Sequence, residues 1–181
     1  MNFPLNHAKV VHAVARIIER SGGVTTLLRI AKIAYLVDRI SIQTRGIPII
    51  GGQYFSMKKG PMTSEVSDLI NGKLQVEGWR QFISRRSGDE VRVVAQSDFD
   101  PLSTSDLEII DSVVEEHRTR TTLELVDWCH KNCPEYRHVE AGKREEISIA
   151  RIVRASGKDP SVTARIMNQI EADLELDAIL A

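Results

Sequence analysis

Apolar residues in the amino-terminal part of the chain recur at helical spacing. Asn6 is placed to cap a helix in which Val10, Val11, Val14, Ile17 and Ile18 fall on one face, and Ser21-Gly22-Gly23 stops it. Thr25 or Thr26 then caps a second helix. Its stripe of Leu27, Ile30, Ala31, Ala34 and Val37 is widened by Leu28, Ile33, Leu36 and Ile40. A stripe that broad predicts a central helix covered on several sides. Arg45-Gly46 ends it, and Pro48 prevents it from resuming.

The pattern then changes. Ile49 to Gly60 reads as extended, with Gln53 to Met57 a short strand between Gly51-Gly52 and Gly60-Pro61. Ser64 opens a short helix carrying Val66, Leu69 and Ile70, which Asn71-Gly72 closes. Trp79 to Arg85 and Glu90 to Ala95 are β-prone runs around Ser87-Gly88-Asp89, a predicted hairpin that joins the earlier strand in one small sheet.

After Asp100-Pro101 helices return. Ser105 and Glu108 have capping-box spacing ahead of Leu107, Ile110, Val113 and Val114, and Thr121 and Glu124 repeat that spacing before a helix running to about Lys131. Lys143 to Arg154 is predicted helical. Asp159-Pro160 caps a last helix bearing Thr163, Ile166, Met167, Ile170 and Leu174. The fold class is mainly α (α+β): a compact helical domain with a small antiparallel sheet or hairpin.

Composition narrows the function classes. The 181 residues suit one domain with a sizeable core or a core domain plus a helical appendage, and 42% apolar residues suit a packed core. Lys+Arg 24 against Asp+Glu 25 gives a net charge of -1, which supplies no global field for nucleic acid or membrane. No apolar run reaches the roughly 20 residues of a membrane span, and the start MNFPLNHAKVVHAV lacks the features of an export signal, so a cytoplasmic location is expected. Cys129 and Cys133 are the only cysteines, as suits a reducing compartment.

The stretch from Lys32 to Gly72 resembles the signature of the Panacea domain family, the SocA-like antitoxins. The elements that carry the likeness are Ala34-Tyr35-Leu36-Val37-Asp38, Gly46-Ile47-Pro48-Ile49, Tyr54-Phe55 leading to Gly60-Pro61, and Ser64-Glu65-Val66. Thr122-Leu123-Glu124-Leu125 followed by His130 resembles the family's second landmark, so the likeness runs from about Val10 to Ile152. Lys59 stands where members often carry Tyr or His, and Cys129 where Thr or Ser is usual. The resemblance implies an antitoxin that binds a cognate toxin, often the product of a neighbouring gene. Some relatives act as adaptors delivering a toxin to a protease, so a protease is a second implied partner. It divides the chain into a Panacea domain, residues 1–155, and a carboxy-terminal helical extension, residues 156–181. No cofactor and no metal is implied.

The expected partner-binding residues are Tyr35, Asp38, Arg39, Lys58, Lys59, Gly60, Pro61 and Ser64. Each has a plainer reading. Tyr35 packs on the core with its hydroxyl held by Asp38 or backbone, and Lys58-Lys59 is a solvated turn. His117, Cys129, His130, Cys133 and His138 have metal-ligand residue types, but their spacing matches no zinc pattern and Pro134 interrupts it. Nothing resembles a carboxylate dyad, phosphate loop or nucleophile elbow, which argues against an enzyme. The rival reading is a winged-helix regulator whose hairpin, with Arg80, Arg85, Arg86 and Arg92, touches DNA phosphates. The apolar second helix leaves such a regulator no clear base-reading face. The last helix reads as packed on the domain, as a dimer contact in a homo-oligomer, or as a partner-specific extension.

Overall fold

The computed structural model describes residues 3–180. Its first helix, α1 (His7–Arg20), begins where Asn6 Oδ1 accepts from the Lys9 amide at 3.1 Å. A short strand, β1 (Val24–Thr26), follows, and the Thr26 hydroxyl caps α2 (Leu27–Arg45) by accepting from the Arg29 amide. Twelve of the nineteen α2 residues are buried, so this helix is the axis of the core, as its wide apolar stripe predicts. Gly46, at φ +80°, turns the chain out of α2 in a left-handed conformation that a side chain would resist.

Strands β2 (Tyr54–Met57) and β3 (Gly60–Thr63) form a hairpin, and α3 (Ser64–Ile70) continues from it. The remaining elements are α4 (Trp79–Phe82), β4 (Glu90–Arg92), α5 (Thr104–Glu116), α6 (Thr122–Asn132), β5 (Glu145–Glu146), α7 (Ile149–Arg154) and α8 (Pro160–Leu180). Helices α1, α3, α5, α6 and α7 and the hairpin pack around α2. Ile17, Ile30, Ile33, Leu36, Ile110 and Ile152 fill the space between them.

The described residues hold two antiparallel sheets, where the sequence predicts one. β1 pairs with β4, Val24 opposite Arg92, while β2 lies between β3 and β5. Gly60-Pro61 reads as a strand stop, yet Pro61 sits inside β3 opposite Ser56. An edge strand tolerates a residue with no N–H to donate, and β3 is an edge. The predicted hairpin of Trp79–Arg85 with Glu90–Ala95 survives only as the bridges Ile83–Val93 and Ser87–Glu90. Trp79 to Phe82 instead coil into one helical turn that buries the indole.

Two helix starts also differ. The α5 capping box is Ser103 with Asp106: the Ser103 hydroxyl accepts from the Asp106 amide at 3.2 Å, and the Asp106 carboxylate accepts from the Ser103 amide at 3.1 Å. Ser105 accepts from Arg45 Nη1 at 2.7 Å. The helix predicted over Lys143 to Arg154 shrinks to α7, capped by Ser148, because Glu145–Glu146 pair with β2. The box of Thr121 with Glu124 forms as the spacing predicts. Along α8, Ile170 is fully buried, whereas Leu176 and Ile179 near the far end are exposed.

Candidate functional site

The residues expected to bind a partner converge on one region, where α2 meets the β2–β3 hairpin. Lys32, Tyr35 and Arg39 are spaced three and then four apart, so they share one face of α2. Lys32 is fully buried, and its ammonium donates to the Pro61 carbonyl at 2.8 Å. Burial lowers the Lys32 pKa to about 8, with a smaller push from the Lys59 charge, and the nearby Cys129 and Cys133 offset only part of the loss of water. Tyr35 donates from its hydroxyl to Glu135 Oε1 at 2.5 Å, and Arg39 Nε donates to the same oxygen at 2.5 Å.

Asp38 faces the chain that enters the hairpin. Its Oδ1 accepts from the amides of Ile49 and Ile50, both at 2.8 Å, and its Oδ2 from the Gly51 amide and the Tyr54 hydroxyl, both at 2.9 Å. Burial raises its pKa to about 6 against those four hydrogen bonds, which favour the ionised form. Gly51 must be glycine: it sits at φ +78°, and a Cβ would lie 2.2 Å from the Pro4 carbonyl oxygen.

The turn of the hairpin is pinned from behind. A Cβ on Gly60, at φ +92°, would lie 3.1 Å from Lys32 Nζ and 3.2 Å from His130 Cδ2. His130 stacks on Tyr136 with centroids 4.7 Å apart, and the Tyr136 hydroxyl donates to the Met57 carbonyl at 3.2 Å. The Ser56 hydroxyl accepts from the Arg137 amide at 3.1 Å. Burial, together with the Lys32 charge, lowers the His130 pKa. In front, Lys58 and Lys59 are exposed and form no ion pair among the described residues. Lys131, Arg137, His138 and Arg144 are exposed nearby, with Arg144 resting over the Phe55 ring at 4.4 Å.

The eight expected residues therefore fall into three groups. Tyr35, Asp38, Gly60 and Pro61 are buried and shape the hairpin, while Lys58 and Lys59 face solvent, and Arg39 and Ser64 lie between. The Tyr35 hydroxyl is held by Glu135 in place of the expected Asp38, whose oxygens are occupied by the 49–51 backbone and Tyr54. Ser64 donates to Glu65 Oε2 at 2.9 Å, and α3 is preceded by Thr63, which makes no side-chain cap.

Sequence reasoning missed Glu135 and Tyr136, and met Lys32 only as the start of the stretch that resembles the family. Their partners lie tens of residues away, and only the period of α2, which aligns Lys32 with Tyr35, offered a signal.

Cys129 and Cys133 are buried and unoxidised behind the turn. The Cys133 thiol donates to the Cys129 sulfur, which lowers the Cys129 pKa, and that bond together with burial raises the pKa of Cys133. Among the described residues, no three His, Cys, Asp or Glu side chains gather as metal ligands would. His117 packs edge-on against Trp128, with centroids 4.5 Å apart. No helix among the described residues is long and apolar enough to cross a membrane.

Residues 30–135 match the model of the family described as "Antitoxin SocA-like, Panacea domain". The matched stretch contains nearly all of α2, the hairpin with its turn, and Glu135. No curated protein and no solved structure matches the chain.

Proposed function

Because the chain belongs to the SocA-like antitoxin family that carries the Panacea domain, we propose that it neutralises a cognate protein toxin by holding it, using the β2–β3 turn and its basic rim. The observation that carries this reading is the double tether of the hairpin to α2, within the stretch of this chain that matches the family model. Asp38 fixes the strand entry, and Lys32 fixes Pro61 behind the turn. Lys58 and Lys59 are thereby presented on a braced support, so an acidic surface can dock without first ordering the loop. The charged rim raises the rate of encounter and sets specificity, while buried anchors supply most of the affinity. In this reading the side chains make and break no bonds. Residues 1–155 form the binding domain, and residues 156–181 extend it.

Delivery of the toxin to a protease is the other mode open to a chain that works by binding. Winged-helix recognition of DNA fits the geometry less well, because α2, the helix such a motif would lay in a groove, is buried along most of its length. Arg92 is also engaged, donating to Glu90 Oε2 at 2.7 Å.

The test is co-expression with the product of the neighbouring gene. The wild-type chain is expected to rescue growth and to co-purify with that product. Lys58→Glu combined with Lys59→Glu should melt like wild type and bind at least about tenfold more weakly. A doubly substituted chain that folds and protects cells as well as wild type would remove the turn from the interface. Steady loss of the toxin only when a cellular protease is present would favour delivery over holding.

A further inference from the structure

On another part of the molecule, an open pocket of about 870 Å³ lies beside α3 and α4. Leu69, Leu74 and the buried Trp79 line it together with Asn71, Gln75 and Gln81, and Arg80, Arg85 and Arg86 add three exposed guanidinium groups. Neither Asp nor Glu lines it. Arg80 donates to the Ser84 carbonyl and Arg86 to the Asn71 side chain, but none of the three meets a carboxylate among the described residues. The Trp79 indole N–H is buried with no acceptor. A hollow of mixed polar and apolar lining that holds three guanidinium groups without carboxylate partners calls for an acidic occupant with some aliphatic side chains beside its carboxylates.

The chain itself carries such a segment. After Arg165 it holds no Lys or Arg but has Glu171, Asp173, Glu175 and Asp177. Glu171, Glu175, Leu176 and Ile179 fall within an arc of about 140° on α8, at 100° per residue. Ile166, Met167, Ile170 and Leu174 point the other way, onto the molecule's own core. Leu176 is 54% and Ile179 79% exposed, and Glu171, Asp173 and Glu175 form no ion pair among the described residues.

We propose that the arginine-rimmed pocket receives the acidic, apolar end of α8 from a second copy of this chain. Reciprocal exchange makes the contact twice and closes a symmetric pair, which buries Leu176 and Ile179 and gives Arg80, Arg85 and Arg86 their missing carboxylates. None of these residues belongs to the Gly60-Pro61 turn, so pairing proceeds whether or not that turn binds a toxin.

Sedimentation of the full chain tests it. Wild type is expected to form dimers that weaken as salt rises. Arg85→Glu with Arg86→Glu, and separately Glu171→Arg with Glu175→Arg, should each raise the dimer Kd at least about tenfold while leaving the melting curve in place. An equimolar mixture of the two variants should pair again, because each pocket then meets a tip of opposite charge. A monomeric wild type overturns the proposal. So does undiminished pairing of either variant, or a mixture that stays monomeric.

Discussion

Lys32→Met isolates the energetics of the buried ammonium. In the folded chain its pKa is about 8, against 10.5 for a free lysine. Below pH 8 both states carry the proton, and holding the charge out of water costs the fold about 3 kcal/mol, the free-energy equivalent of that gap. Between pH 8 and 10.5 the unfolded chain binds more protons than the folded one, so this cost fades and stability rises with pH. Above both values it is gone. Methionine has a similar shape and no charge. It removes the cost at neutral pH but leaves the Pro61 carbonyl without its charged donor, a loss of roughly 1.5–3 kcal/mol. The two effects nearly cancel at pH 7, where the variant should be about as stable as wild type.

The informative quantity is the difference between the two proteins. Urea unfolding at a series of pH values should show wild type gaining about 3 kcal/mol on Lys32→Met between pH 7 and 10.5. Tyr35 and Tyr54 have pKa values raised by burial, so they lower stability at high pH, but they do so in both proteins. Parallel curves for the two proteins would refute the assignment of a charged, water-free Lys32.

Asp106 should behave in the opposite sense. Burial pushes its pKa up, but hydrogen bonds from Lys9, Arg45 and the Ser103 amide outweigh that and hold it at about 2. Its contribution of about 2 kcal/mol is then present above pH 4 and lost as pH falls toward 2, and Asp106→Asn should flatten that limb of an acid titration. Gly51→Ala should prevent soluble expression, because the Pro4 backbone stands where the Cβ would go. Gly60→Ala meets only the ends of Lys32 and His130 besides its strained φ, and should cost about 1–3 kcal/mol by thermal melt. Ser103→Ala should destabilise by about 1 kcal/mol through loss of the α5 cap.

Local signals were legible wherever the residues that decide a structure lie close together in sequence. Asn6, Thr121 with Glu124, and Gly46 mark helix ends through contacts within four residues. The α5 start shows the limit. Ser103 with Asp106 and Ser105 with Glu108 offer the same spacing, and the choice follows from Lys9 and Arg45, whose side chains reach Asp106 at 2.7 and 2.8 Å from other helices. β5 has only Glu145 and Glu146 and no alternation to read. It exists because β2 has a free edge and Arg144 lies over Phe55. Trp79 and Phe82 favour strands by type, yet the turn they form follows Gly78 at φ +78° and buries the indole. At the candidate site, sequence found strand β2 and the exposed lysines but missed its partner β3, and it gave the Tyr35 hydroxyl Asp38 or backbone as acceptor. Glu135 reaches it from beyond α6, at a separation of 100 residues.

A buried lysine and a buried aspartate six residues apart on one helix are costly features, and apolar side chains of similar size would pack there at lower desolvation cost. Apolar contacts, however, slide. The four donors on Asp38 define where residues 49–51 and the Tyr54 ring lie, and Lys32 defines where Pro61 lies, so both strands of the hairpin are referenced to α2. A slip of one residue in β2–β3 would leave several of those buried donors and acceptors unpaired at once, which is dearer than any packing gain. The polar anchors thus exchange stability for a single register, and that register keeps Lys58 and Lys59 at the exposed tip.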